Sequence, residues 1–139
     1  MHQDAKDPTK YVVDFYQAGL SLPDRDYYLQ DDAKFQDIRA KYLAHIEKMH
    51  GLAGLKNGAA AAKTVLVLET KIAQVQWSRV ESRDAEKTYN PQTLTQLAAL
   101  TPDFNWSTLL TQLNVPAQPF YVVSMPSYFG GLNKLFKDT

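Results

Sequence analysis

The chain has no cysteine among its 139 residues, which excludes disulfides, thiol nucleophiles and thiolate metal sites. It has no net charge either. Lys and Arg number 15 and Asp and Glu number 15, so no long-range field draws it to nucleic acid or to a lipid surface. No run approaches the roughly 18 apolar residues that span a bilayer, so no membrane segment is expected. The opening MHQDAKD lacks an apolar stretch and does not read as a signal peptide; it reads as a cut inside a longer chain, with residues 1–10 as a flexible edge. Signatures of chemistry are scarce as well. There is no GxSxG for a serine nucleophile, and Gly130-Gly131 follows Phe129 without the GxxxxGK of a phosphate cradle.

What is present is a globular composition, 45% apolar and 22% charged. The length suits one domain burying about two-thirds of its unfolded surface. Residues 11–17 (YVVDFYQ) are aromatic and β-branched, which predicts a strand that Gly19 and Pro23 end. A short helical turn follows through Tyr27-Tyr28-Leu29. Asp31 or Asp32 can cap the next helix, whose Phe35, Ile38, Tyr42, Ile46 and Met49 form one apolar stripe until Gly51 and Gly54 stop it. A second long helix is expected over 58–80, with Asn57 as cap and Ala61, Val65, Leu68, Ile72, Val75 and Arg79 on one side. Two such stripes joined by a short link should pack as an antiparallel pair.

Residues 81–89 are charged and aperiodic, which predicts a loop. Asn90 and Pro91 are expected to cap and open a helix carrying Leu94, Leu97 and Leu100. Asn105 opens another through Leu113, a second strand is expected over 120–123, and Pro126 starts a last helix with Phe129, Leu132, Leu135 and Phe136. The fold class is therefore mainly α: one helical domain over 1–139, with a long antiparallel helix pair, several short helices and a small two-stranded β element closing the ends.

The most suggestive chemistry is His45-Ile46-Glu47-Lys48-Met49-His50, which imitates a zinc-peptidase box. That box needs imidazoles four apart on one helix face with a Glu directly after the first. Here the histidines are five apart, about 140° around the helix, so they cannot grip one ion. Glu47 and His50 share a face as in di-metal bundles, but no second ExxH occurs. The acids Asp24, Asp26, Asp31, Asp32, Glu81, Asp84 and Glu86 sit beside Arg25, Lys34, Arg83 and Lys87, so they read as caps and ion pairs. Asn105-Trp106-Ser107 matches a glycosylation acceptor and equally a helix cap. The aromatics lie among apolar neighbours and read as core, not as base-stacking platforms. No catalytic residue, metal ligand or cofactor is expected in these residues.

One stretch is more specific. GLSLPDRDYYL at 19–29 resembles a segment of the non-catalytic half of the neprilysin, endothelin-converting-enzyme and oligopeptidase O type zinc metallopeptidases. VLETKIA at 67–73, ESRD and KTYNP over 81–91, FNW at 104–106 and VVSMPSYF at 122–129 resemble further family runs in the same order. The family-motif positions are Leu22, Pro23, Arg25, Asp26, Tyr27, Tyr28, Glu69, Asn90, Pro91, Trp106, Pro126 and Tyr128, expected to act structurally, with Arg25 stacking on a tyrosine or pairing with a carboxylate. The resemblance implies a bacterial fragment of a much longer zinc endopeptidase. Its HExxH and its one zinc would lie in a missing catalytic lobe of the same polypeptide, the partner of this lobe. It also implies oligopeptide substrates confined by a closed chamber, and an exported, periplasmic address. The alternative from the residues alone is a stand-alone helical module that binds a peptide or protein, which a stop codon after Thr139 would favour.

Overall fold

The computed structural model describes residues 1–137. The chain forms two compact units: Met1–Ala18 joined with the chain from Trp77 onward, and Gly19–Gln76. Among the described residues there are seven α-helices and five strands of two or three residues, so the fold is mainly α with a small β element.

The 19–76 unit holds α1 (Asp26–Leu29), α2 (Ala33–Leu52) and α3 (Gly58–Val75). Asp32 caps α2, its side chain accepting from Phe35 N at 3.1 Å. Gly51 stays inside the helix, and Gly54 ends it. With φ at +71°, Gly54 allows Leu55 N to reach His50 O and Gly54 N to reach Gly51 O, both at 3.0 Å. The expected Asn57 cap is not made. Asn57 lies in the left-handed region at φ 64° with no side-chain bond to the helix, because it is spent on turning the chain. The start of α3 then meets the end of α2 closely. A Cβ on Gly58 would fall 3.0 Å from Glu47 O and 3.2 Å from His50 Cβ, so glycine permits the approach. Farther along α3, Glu69 meets Tyr42 of α2, so the contacts run in opposite order along the two helices and the pair is antiparallel. The α3 helix stops at Val75 and not at Val80. Gln76 is extended (ψ 148°), and its carbonyl accepts from Arg25 Nη1 at 2.6 Å.

In the other unit, β1 (His2–Gln3) pairs antiparallel with β2 (Tyr11–Val12). A second sheet has the order β3-β5-β4, from β3 (Asp14–Phe15), β4 (Pro91–Gln92) and β5 (Tyr121–Val123). The strand expected over 11–17 is thus two strands serving two sheets. Between them Val13 O still accepts from Val122 N at 3.0 Å. The parallel β3–β5 pair joins segments from the two ends of the sequence, as the closing element requires.

Residues 81–89 are not a loop throughout. Asp84 accepts from Glu86 N at 3.1 Å and Lys87 N at 3.2 Å, which caps the single turn α4 (Ala85–Thr88) after a 3-10 turn at Glu81–Arg83. Asn90 and Pro91 do not open a helix. Pro91 sits in β4 opposite Val122, at the sheet edge where a missing N–H costs nothing. Helix α5 (Leu94–Leu100) starts after Thr93, which forms a reciprocal capping box with Gln96. Asn105 caps α6 (Trp106–Gln112) by accepting from Thr108 N at 3.0 Å. Pro126 begins α7 (Pro126–Lys137). Leu97, Tyr121 and Val123 are the largest fully buried side chains, so the core of this unit lies between the sheet and α5 to α7.

Candidate functional site

Two family-motif residues of the 19–76 unit, Tyr28 directly and Leu22 through it, connect to one buried acid. Glu69 stands on the inward face of α3 beside Ile72 and Ala73 and is only 7% exposed. Its Oε2 accepts from Tyr28 Oη at 2.8 Å and its Oε1 from Ser21 Oγ at 2.7 Å. Tyr42 also hydrogen-bonds this carboxylate. Tyr28 Oη in turn accepts from Leu22 N at 2.9 Å, so one phenol ties the 19–25 corner to α3. Burial, then Glu69, push Tyr28 well above the usual phenol range against the opposing Leu22 bond, keeping the group a neutral donor. Tyr42 is raised in the same direction, first by burial.

The neighbouring motif residues shape the same corner. Asp26 N donates to Asp24 Oδ1 at 2.9 Å, starting α1. The Arg25 guanidinium donates to the Gln76 carbonyl at 2.6 Å. Tyr27 packs edge-on against Phe35 with centroids 5.1 Å apart, while its carbonyl accepts from Arg39 Nη1 at 2.9 Å. Pro23 is exposed.

In the other unit the motif residues are spread through the core. Asn90 O accepts from Val123 N at 2.9 Å, holding β4 to β5. Trp106 is 6% exposed, and its Nε1 donates to Thr101 Oγ1 at 2.6 Å. Its ring meets Phe15 and Phe104 at 4.8 Å and Phe129 at 6.0 Å. Tyr128 donates to Ala18 O at 2.9 Å. Pro126 heads α7. At the amino end, His2 Nδ1 faces Gln3 O at 2.7 Å and Nε2 faces Asp14 Oδ2 at 3.2 Å. Only an imidazolium donates from both nitrogens, and both contacts raise its pKa from 6.5, the Gln3 carbonyl most.

His45 is exposed and His50 half-buried on α2. With Ser21, Tyr42, Ile46 and Met49 they line an open groove of about 480 Å³, and His50 Nδ1 is buried with no hydrogen-bond partner among the described residues. Among those residues no three of His, Asp or Glu come together as metal ligands. Asp31 lies 3.5 Å from Arg39, Asp84 lies 3.5 Å from Lys87, and Glu81 accepts from Ser78 N at 2.9 Å, so these acids serve caps and pairs. What the clusters can do chemically is hold the fold. Sequence reasoning missed Ser21 and Tyr42 as partners of Glu69. The available signal was an acid placed three and four residues before Ile72 and Ala73 on one helix face.

Comparison with known proteins identifies where such a chain occurs. The model of peptidase family M13 matches residues 1–139. Endothelin-converting enzyme-like 1 of Rattus norvegicus is 33% identical over 112 residues, 79% of this chain and 14% of that protein. An endothelin-converting enzyme homolog of Locusta migratoria is 28% identical over 144 residues, 98% of this chain and 20% of that protein. Among solved structures, Mycobacterium tuberculosis zinc metalloprotease Zmp1 in complex with an inhibitor superposes with a TM-score of 0.82 at 34% identity, over 94% of this chain and 20% of that one. Its open state gives 0.80 at 34% identity. The chain spans a fifth or less of the length of these proteins. With its whole length matched, the chain belongs to peptidase family M13 and corresponds to the N-terminal part of such peptidases.

Proposed function

We propose that this chain is a helical, non-catalytic segment of a neprilysin-like zinc metalloendopeptidase, where it walls the substrate chamber and helps restrict cleavage to oligopeptides. The observation that carries the reading is the match of the entire chain to the family together with its small share of each relative's length. The peptidase activity, the zinc and the oligopeptide substrates belong, on this reading, to the parent protein, whose catalytic lobe is the partner of this one.

The residues present do not fit the zinc. His45 and His50 are five apart on α2, and no third ligand joins them among the described residues. What these residues do supply is stiffness. A chamber wall must keep its shape against a mobile peptide, and a buried carboxylate bound by several hydroxyls, with an interlocked ring cluster, gives that.

The test is size selection by the parent protein. It should cleave a short peptide and spare the same scissile sequence displayed on a folded carrier protein, followed by mass spectrometry of the products. Equal cleavage of both would contradict a confining wall.

A further inference from the structure

The turn between α2 and α3 ends on Asn57-Gly58, the one Asn-Gly pair in the sequence. Residues 51–57 are all exposed, and a Cβ placed on Gly51 or Gly54 would meet nothing within 4 Å. The Asn57 amide makes no hydrogen bond among the described residues, so its carbonyl carbon is open to attack. Gly58 begins α3, where the leading N–H groups have no partner inside the helix. Its nitrogen donates to nothing else among the described residues, and no side chain of its own shields it. The other four asparagines lack this combination. Asn90 precedes Pro91, which has no N–H. Asn105 Oδ1 accepts from Thr108 N at 3.0 Å, and both amide atoms of Asn133 are bonded to Asp103. Asn114 is left-handed like Asn57, with φ 53°, but Val115 N is already given to Leu110 O at 2.9 Å.

We propose that Asn57 is a site of spontaneous covalent modification, deamidating through the Gly58 nitrogen to aspartate and isoaspartate. The Gly58 nitrogen attacks Cγ of Asn57. The new N–Cγ bond forms as the Cγ–Nδ2 bond breaks, and Nδ2 leaves as ammonia with the proton that Gly58 gives up. Water then opens the cyclic imide. Addition at the side-chain carbonyl yields aspartate on an unchanged backbone. Addition at the backbone carbonyl yields isoaspartate, whose main chain runs through Cγ and is one methylene longer. At its present ψ of 34°, Asn57 holds Gly58 N nearly opposite Cβ across the Cα–C bond, so the ring closes only when the turn opens. That opening is local, because the segment is exposed and its left-handed asparagine is held against an intrinsic cost. The two products differ in effect. Aspartate places a negative charge at the N-terminus of α3, where the helix dipole favours it. Isoaspartate lengthens the chain just before the closest approach of α3 to α2, where even a Cβ on Gly58 would fall 3.0 Å from Glu47 O.

The test is a time course on the folded full-length parent at mildly alkaline pH, where loss of the Gly58 amide proton speeds ring closure. Samples are digested and their peptides separated by chromatography and mass, with an unaged sample as the reference. Asn57 should convert at least about tenfold faster than Asn90, Asn105, Asn114 or Asn133, because its route needs only a local opening. Isoaspartate should be among the products, and urea should speed the conversion by removing the opening step. An Asn57 that converts no faster than the other four overturns the proposal. So does one that keeps its amide in the folded parent while converting in urea. Asn57→Gly keeps the left-handed turn without the amide and should abolish the modified peptide; a mass gain that persists there overturns the assignment. As a second measurement, the isolated isoaspartyl form should melt below the Asn57→Asp variant. Equal melting, or the reverse order, contradicts the close approach at Gly58 as the point of damage. Peptidase activity is not read, so the outcome is separate from the proposed function.

Discussion

Replacing Glu69 with alanine is expected to destabilise the folded chain by about 3 kcal/mol, because two or more buried hydroxyls lose their acceptor at once. The donors are Tyr28 and Ser21 at 2.8 and 2.7 Å, joined by Tyr42. Bonds to a charged acceptor contribute about 1.5–3 kcal/mol each, and orphaned donors add desolvation cost. Glu69→Gln keeps one acceptor oxygen and should cost less than half as much. Tyr28→Phe should cost about 2 kcal/mol, since it removes one bond to Glu69 and also strips Leu22 N–H of its acceptor. The double variant should cost clearly less than the sum, as groups in one network couple by roughly 0.5–3 kcal/mol. Urea unfolding followed by far-ultraviolet circular dichroism measures all four. A Glu69→Ala chain that unfolds with the wild type would refute the network.

Trp106→Ala is expected to have the other large effect, about 3–5 kcal/mol, the range for removing a buried large aromatic side chain. The ring is the hub of Phe15, Phe104 and Phe129, which come from β3, from the turn before α6 and from α7. Its loss opens a void among three elements and frees Thr101 Oγ1 of its donor. Trp106→Phe retains most of the packing and loses the N–H, so it should cost about 1–2 kcal/mol. The order Ala well beyond Phe is the prediction. Equal costs would mean that the hydrogen bond, not the ring cluster, holds this core.

Helices with a clean period and a local stop could be read from the residues: α2 from its stripe and Gly54, α6 from Asn105, α7 from Pro126. Where the stop is tertiary, they could not. The α3 period runs on through Arg79 with no glycine or proline, yet the helix gives way to an extended Gln76 whose carbonyl accepts from Arg25. Asn57 was legible as a residue at the helix start, but its left-handed backbone depends on the turn it closes. Asn90 and Pro91 have the local look of a helix start, yet pairing with β5 and the capping box at Thr93 outweigh it. The candidate site was legible in the same uneven way. Glu69 and Tyr28 stood out through family-like motifs, whereas their convergence with Ser21 and Tyr42 needed three separate stretches folded together.

The proposed division of labour puts the chemistry of the parent elsewhere and leaves these residues to hold a shape. The measurement closest to that claim is calorimetric titration of zinc into the purified 139-residue chain, with peptide turnover assayed on the same sample and helicity checked by circular dichroism. The account predicts a helical chain with no saturable zinc heat and no cleavage. One zinc bound per chain and lost on His45→Ala or His50→Ala, or any peptide cut by the isolated polypeptide, would contradict it.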